Sequence, residues 1–288
     1  MTEMKNRSDR SVSLAGALKR PRYEVIPLPD VAERVLKHIP KEVELTVTAS
    51  PTKGLGPTVE LTERLTLEGY RTVPHLSARL ISDESHLKDI SCRLHEAGVK
   101  DVFAIAGDAP KPAGKFAGSV DLLTALSEIG TSFEQVGIGG YPERHPLISD
   151  ETTVQAMNDK LPYASYIVSQ ICFQPRLIEG WVQRVRDRGV QLPIYIGIPG
   201  SVSMTKLMRI SGSIGIGDSA RFLKKYGNRF LKMMLPGGYT PDGLVADLTP
   251  QLADPWSNLR GFHVYTFNEL ENTEAWRQSM LERLGDKR

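Results

Sequence analysis

Residues 71–110 decide the fold class, and they read RTVPHLSARLISDESHLKDISCRLHEAGVKDVFAIAGDAP. A β-prone run at 72–76 is followed by a stretch with apolar residues at helical spacing, and a second β-prone run occupies 102–106. Asp83 stands where a helix N-cap is expected, and Gly98 stands where the helix should end. This order predicts a strand–helix–strand unit, whose two strands are parallel.

The same alternation extends over the whole chain. The predicted strands are Tyr23–Pro27, Val43–Thr48, Thr72–Leu76, Val102–Ala106, Gln135–Gly139, Tyr166–Ile171, Pro193–Ile198 and Phe262–Thr266. Eight strands with helices between them predict an α/β protein of one (β/α)8 TIM barrel, which suits a length of 288 residues. The alternative, an open doubly wound sheet, would need a glycine-rich turn after the first strand, where Pro27-Leu28-Pro29 stands instead.

The predicted barrel domain covers residues 21–288 and follows a flexible N-terminal arm, residues 1–20. Residues 199–260, between strands seven and eight, are rich in glycine and proline. We expect this elaborated segment to add helices near 205–211 and 219–225. At the first predicted helix, Asp30 and the glutamate three residues later are typical of a capping box.

Composition limits the classes of partner. The formal net charge is only +2, which argues against nucleic acid or an anionic membrane as partner. No apolar run approaches the roughly 18 residues of a membrane span. Two cysteines do not make a disulfide framework, so we expect a cytoplasmic protein. The oligomeric state stays open.

Polar side chains stand at the ends of nearly all the predicted strands, which is where barrel enzymes place their chemistry. They are Glu24, Thr48, His75, Asp108 (after Gly107), Tyr141, His145 and Gln170. Each has a structural alternative: Glu24 could be solvated, Asp108 could cap the next helix, and His75 could be a core histidine. A buried acid is costly unless it is paired or functional, which favours function for Glu24. The six histidines show no zinc-like spacing, so we predict no metal site.

Taken in order, the motifs at the strand ends resemble those of the methylenetetrahydrofolate reductase family. The most specific are Ala106-Gly107-Asp108-Ala109-Pro110, Tyr141-Pro142-Glu143-Arg144-His145-Pro146 and Ser169-Gln170-Ile171-Cys172-Phe173. The resemblance extends from residue 22 to about residue 285. It implies an oxidoreductase of one-carbon metabolism, linked to methionine biosynthesis, that reduces 5,10-methylenetetrahydrofolate to 5-methyltetrahydrofolate.

The resemblance also assigns cofactors and residues. It implies that NADH or NADPH passes hydride to bound FAD, which passes it to the folate. Glu24 would be the proton donor, Asp108 would stabilise the developing cation and contact the pterin, and Gln170 would bind the pterin edge. The residues implied to contact the flavin are Thr48, His75, Gly107, Asp108, Tyr141 and His145, with Lys160 near its phosphates.

The chain departs from the family pattern, and alternatives stay open, of which the flavin-free one is favoured only by the departures near Lys160. The family usually has arginine before Gly107, where this chain has Ala106, and a basic residue before Lys160 is replaced by Asp159. One alternative is a flavin-free reductase that transfers hydride directly from the nicotinamide. Another is a folate-binding or methyl-carrier protein without redox activity. The choice between NADH and NADPH and the physiological direction also stay open.

Overall fold

The computed structural model describes residues 13–130, 133–143, 148–203, 206 and 239–285. Eight strands form one closed barrel in chain order, which confirms the predicted (β/α)8 fold. They are β1 (Arg22–Val25), β2 (Glu44–Val47), β3 (Thr72–Ser77), β4 (Asp101–Ile105), β5 (Gln135–Gly140), β6 (Tyr166–Ser169), β7 (Ile194–Pro199) and β8 (Leu259–Tyr265). Each lies within a few residues of its predicted position.

Helices follow the strands, as the sequence pattern predicts. They are α1 (Val31–His38), α2 (Gly56–Leu67), α3 (Glu84–Glu96), α4 (Ser119–Glu128), α5 (Asp150–Lys160), α6 (Pro175–Asp187), α7 (Asp242–Ala253) and α8 (Leu270–Arg283). Short 3-10 turns occupy Ala78–Leu80 and Leu161–Tyr163. None of the helices in the described ranges is long and apolar enough to cross a membrane.

Two helix starts test the predicted caps. The Asp83 side chain accepts a hydrogen bond of 2.8 Å from the backbone N–H of His86, which confirms the cap of α3. The capping box at α1 is wrong, because the Asp30 side chain makes no capping hydrogen bond. Asp30 already has helical dihedrals, φ −95° and ψ −1°, whereas a capping side chain needs an extended backbone at that position.

The chain forms two compact units. The β1–β6 unit consists of Arg22–Gly140 and Val154–Val168, and the β7–β8 unit consists of Met1–Pro21, Tyr141–Thr153 and Ser169–Arg288.

Strand register in the β1–β6 unit determines which side chains face inward. Arg22 is the register partner of Glu44 and forms an ion pair with it, Nε to Oε2 at 3.1 Å. The same guanidinium donates to Asp101 at 2.7 Å, and Tyr166 donates to the other Asp101 oxygen at 2.7 Å. These four side chains from four strands therefore meet on the inner face, at the N-terminal ends of the strands.

A second set of inward side chains lies one step further along the strands. Side chains alternate along a strand, so Glu24 shares the inner face with Arg22, two residues earlier on β1. Thr46 likewise shares it with Glu44 on β2, and Glu24 and Thr46 are register partners. His75 and Phe103 are register partners on β3 and β4, and their rings meet edge to face with centroids 4.8 Å apart. This second set is half-buried or buried and includes the predicted acid.

The β7–β8 unit is built on the parallel pairing of its two strands, which form six residue pairs with a shift in register between Ile194 and Tyr195. Residues 13–19 are helical, with Leu14 and Leu18 buried. Arg277 of α8 is 1% exposed, donates to the carbonyl of Leu18 at 3.0 Å and pairs with Glu274 at 2.8 Å. The N-terminal arm is thus ordered over these helical residues, whereas residues 1–12 lie outside the described part. The helices expected near 205–211 and 219–225 also lie almost wholly outside it.

Candidate functional site

Glu24 is the centre of the candidate site in the β1–β6 unit. It lies on β1 with a side chain that is 13% exposed, and its Oε2 is 3.9 Å from Nε2 of His75. Burial raises the pKa of Glu24 from 4.5 to about 7, and the neighbouring His75 partly opposes that rise. Such a carboxyl still holds a proton near neutral pH, which is the property that a general acid needs.

The neighbours of Glu24 on the inner face include a buried threonine and a histidine that packs against an aromatic ring. Its register partner Thr46 is 1% exposed, and the Thr46 hydroxyl has no hydrogen-bond partner among the residues that the structure describes. The Phe103 ring covers one side of the His75 imidazole. The structure therefore brings Glu24 and His75 together, and sequence reasoning missed this pairing because it depends on the stagger of the strands.

Asp108 follows β4 on an irregular loop, at the same end of the sheet as the residues that follow β1 to β3. It is exposed, and its carboxylate has no hydrogen bond or ion pair with the described residues. It does not cap α4, which begins at Ser119 with Gly118 in the cap position. The alternative that Asp108 caps the next helix is thus excluded, and its carboxylate is available to a ligand.

Gly107 is required for the loop to leave β4 in this direction. Its φ of +87° is unfavourable for a residue with a Cβ atom. An added Cβ would also collide with the Ser77 hydroxyl at the end of β3. The local backbone and packing thus require a glycine at position 107, whether or not a ligand binds.

Thr48 and Lys160 complete the predicted residues of this unit. Thr48 follows β2, is half-buried, and donates its backbone N–H to the carbonyl of Val25 at 3.0 Å. Lys160 ends α5 and is 7% exposed. Burial lowers the Lys160 pKa, with an opposing contribution from Asp159. A lysine that binds phosphate has to present its charged ammonium to the ligand, so burial weakens this part of the expectation.

The remaining predicted residues belong to the β7–β8 unit. Tyr141 is exposed just after β5. Gln170 follows β6 and is half-buried, and its Oε1 accepts a hydrogen bond of 3.0 Å from the N–H of Ile171. The amide nitrogen of Gln170 has no partner among the described residues. His145 lies outside them.

The fold and the site together define a class of protein. It is a (β/α)8 barrel with a proton-holding carboxyl inside and a free carboxylate after β4, as in a barrel enzyme whose chemistry lies at the C-terminal ends of its strands. The methylenetetrahydrofolate reductase family model matches residues 21–220. The chain belongs to the methylenetetrahydrofolate reductase family.

Individual relatives are similar at modest identity. Methylenetetrahydrofolate reductase 1 of Schizosaccharomyces pombe is 24% identical over 208 residues, which are 67% of this chain and 32% of that protein. The 5,10-methylenetetrahydrofolate reductase of Pectobacterium carotovorum is 27% identical over 146 residues, which are 49% of this chain and 47% of that protein. Methylenetetrahydrofolate reductase 2 of Saccharomyces cerevisiae is 26% identical over 142 residues, 45% of this chain and 23% of that protein. The chain thus matches less than half the length of each relative.

A solved structure of dihydropteroate synthase from Thermus thermophilus aligns over 91% of this chain and 92% of its own. The TM-score is 0.44 and the identity 11%, which is too low to carry an argument.

Proposed function

We propose that this protein reduces 5,10-methylenetetrahydrofolate to 5-methyltetrahydrofolate with NADH or NADPH as the source of hydride. The observation that carries the proposal is the buried carboxyl of Glu24, whose pKa of about 7 suits a proton donor at neutral pH. Family membership supports the choice of substrate.

The chemistry of the substrate explains why such a group is needed. The methylene bridge joins two nitrogens, and one carbon–nitrogen bond must open before the carbon can accept hydride as an iminium cation. Protonation of the departing nitrogen by Glu24 makes that opening easier. The free carboxylate of Asp108 would stabilise the cationic carbon by charge complementarity. The donor and acceptor of the Gln170 amide suit the pterin edge.

FAD is proposed from the family, and the described residues fit it in part. A bound flavin supplies a two-electron carrier between the nicotinamide and the folate. The half-buried Thr48, together with the partly exposed Gly107 and the exposed Asp108, would be able to contact a flavin ring. Lys160 fits a phosphate contact poorly, because the residue is only 7% exposed and burial lowers its pKa.

This burial of Lys160 favours a second candidate, in which hydride passes directly from the nicotinamide to the folate and no flavin is bound. Glu24 would serve the same purpose in both mechanisms, because the carbon–nitrogen bond must open in either case. A folate carrier without redox activity has no use for a proton donor, so the Glu24 site argues against it.

Anaerobic incubation of the purified full chain with NADH or NADPH and methylenetetrahydrofolate tests the proposal. We expect consumption of the nicotinamide in step with formation of 5-methyltetrahydrofolate. Folate binding without turnover would overturn it. An absorption spectrum of the same protein, with and without added FAD, then separates the mechanisms: flavin bands that bleach on NADH support the flavin route, whereas turnover by a colourless protein supports direct transfer.

A further inference from the structure

The loop that carries Asp108 has little regular structure of its own. Residues 106–118 connect β4 to α4, and no helix or strand is present among them. The stretch contains Pro110 and Pro112, which have no backbone N–H to donate. A loop of this length needs external partners to hold one conformation.

Arg79, in the short turn after β3, supplies most of those partners. Its guanidinium donates to three carbonyls of the loop: Ala109 at 2.6 Å, Pro110 at 2.8 Å and Ala117 at 3.3 Å. Its backbone N–H donates to the carbonyl of Ala106 at 3.0 Å, and its own carbonyl accepts from Ala113 at 2.9 Å. One residue thus makes five hydrogen bonds to this loop.

These bonds bracket Asp108. Ala106 and Ala109, which lie on either side of Gly107-Asp108, are both fixed by Arg79. The Asp108 side chain itself has no partner among the described residues, so its position depends on the backbone that carries it.

Close packing between the two segments adds to the hydrogen bonds. Gly107 lies against Ser77, and Gly114 lies against the carbonyl of Ser82, with no room for a Cβ atom at either glycine. The exit of β3, residues 77–82, is therefore the surface on which the Asp108 loop folds.

We propose that Arg79 is a positioning residue that orders residues 106–118 and thereby holds Asp108 in place for the folate step. The guanidinium is suited to this because it is planar and always charged, and it presents several N–H donors in fixed directions. The inference rests on the proposed function for its catalytic part, whereas the ordering of the loop is independent of any substrate.

The test uses Arg79→Lys and Arg79→Gln in the full chain, with Arg93→Lys as a matched control. Arg93 also makes two guanidinium bonds, to Glu63 at 2.8 and 2.7 Å, but on the exposed face of α3. The first readout is amide hydrogen exchange without ligands. We expect exchange in residues 106–118 to rise at least about tenfold in both Arg79 variants and to stay unchanged in Arg93→Lys. Unchanged exchange in the Arg79 variants would overturn the inference.

The second readout is turnover in a double-mutant cycle with Asp108→Asn. We expect Arg79→Lys to lower the folate rate by roughly ten- to a hundredfold in the wild-type background and by less than about twofold when Asp108 is already replaced. An equal loss in both backgrounds would show that Arg79 does not act through Asp108. A wild-type chain without turnover would overturn the proposed function, and hydrogen exchange would then still decide whether Arg79 orders the loop.

Discussion

Replacement of Glu24 by glutamine is predicted to change how stability depends on pH. In the folded chain the Glu24 pKa is about 7, against 4.5 for the ordinary group. The folded state therefore favours the protonated carboxyl. The contribution of Glu24 to the stability of the wild type is fully present below about pH 4.5 and is lost as the pH rises through 7. The difference of 2.5 pKa units corresponds to about 3 kcal/mol once both states are ionised.

Glutamine is neutral at every pH, so Glu24→Gln should escape this loss. We expect its free energy of unfolding, relative to wild type, to increase by about 2 to 3 kcal/mol between pH 5 and pH 8. Urea denaturation of both proteins at a series of pH values measures the difference directly. Because the two proteins share all other titrating groups, the buried Asp101 included, those contributions largely cancel.

Glu60→Gln provides the control, since Glu60 is exposed on α2. We expect this substitution to change the free energy of unfolding by less than about 0.5 kcal/mol across the same range. A Glu24→Gln difference that stays constant from pH 5 to pH 8 would refute the reasoning, because Glu24 would then titrate as it does in the unfolded chain.

Three further substitutions test other parts of the account. Asp108→Asn should slow formation of 5-methyltetrahydrofolate by about 100-fold with little effect on urea stability, and an unchanged rate would remove Asp108 from the chemistry. Lys160→Met should stabilise the fold at pH 7, by a margin that shrinks toward pH 10 as the wild-type lysine loses its charge in the unfolded state. The same substitution should leave the affinity for FAD unaltered. A large loss of affinity, measured by flavin fluorescence, would restore Lys160 as a phosphate ligand. Gly107→Ala should lower the free energy of unfolding in urea by about 2 to 3 kcal/mol, because of the positive φ and the nearby Ser77 hydroxyl. Gly118→Ala is the control, since Gly118 has negative φ and open space around it, and it should lower that free energy by less than about 1 kcal/mol. Equal losses would contradict the packing argument.

The barrel could be predicted because each strand is a short run of β-branched and aromatic residues set between amphipathic helices. The change from a short, largely buried strand such as β3 to the helical spacing of apolar residues in α3 is a local signal. The capping box at Asp30 failed although its residue types are right, because the backbone there is already helical. Residue type alone does not determine the dihedral angles of the residue that precedes a helix.

The arrangement of the site was only partly predictable. Glu24 and Asp108 stand out as acids at strand ends, but the pairing of Glu24 with His75 depends on register. Thr46 lies opposite Val73, so His75 is two residues further along β3, and the sequence carries no signal for such a stagger. Arg79 was missed for a different reason: its partners are backbone carbonyls about 30 residues away, and a carbonyl is the same in every residue.

The central claim is that Glu24 donates the proton that opens the methylene bridge. The rate of 5-methyltetrahydrofolate formation by wild type and Glu24→Gln between pH 5.5 and pH 9 tests it most directly, with nicotinamide and folate saturating. We predict a wild-type rate that falls as the pH rises through about 7, where the Glu24 carboxyl loses its proton. The variant should be slower by at least about 100-fold at pH 6, with no such fall. A variant that keeps the wild-type rate and pH profile would contradict the claim and reduce Glu24 to a structural residue of the barrel.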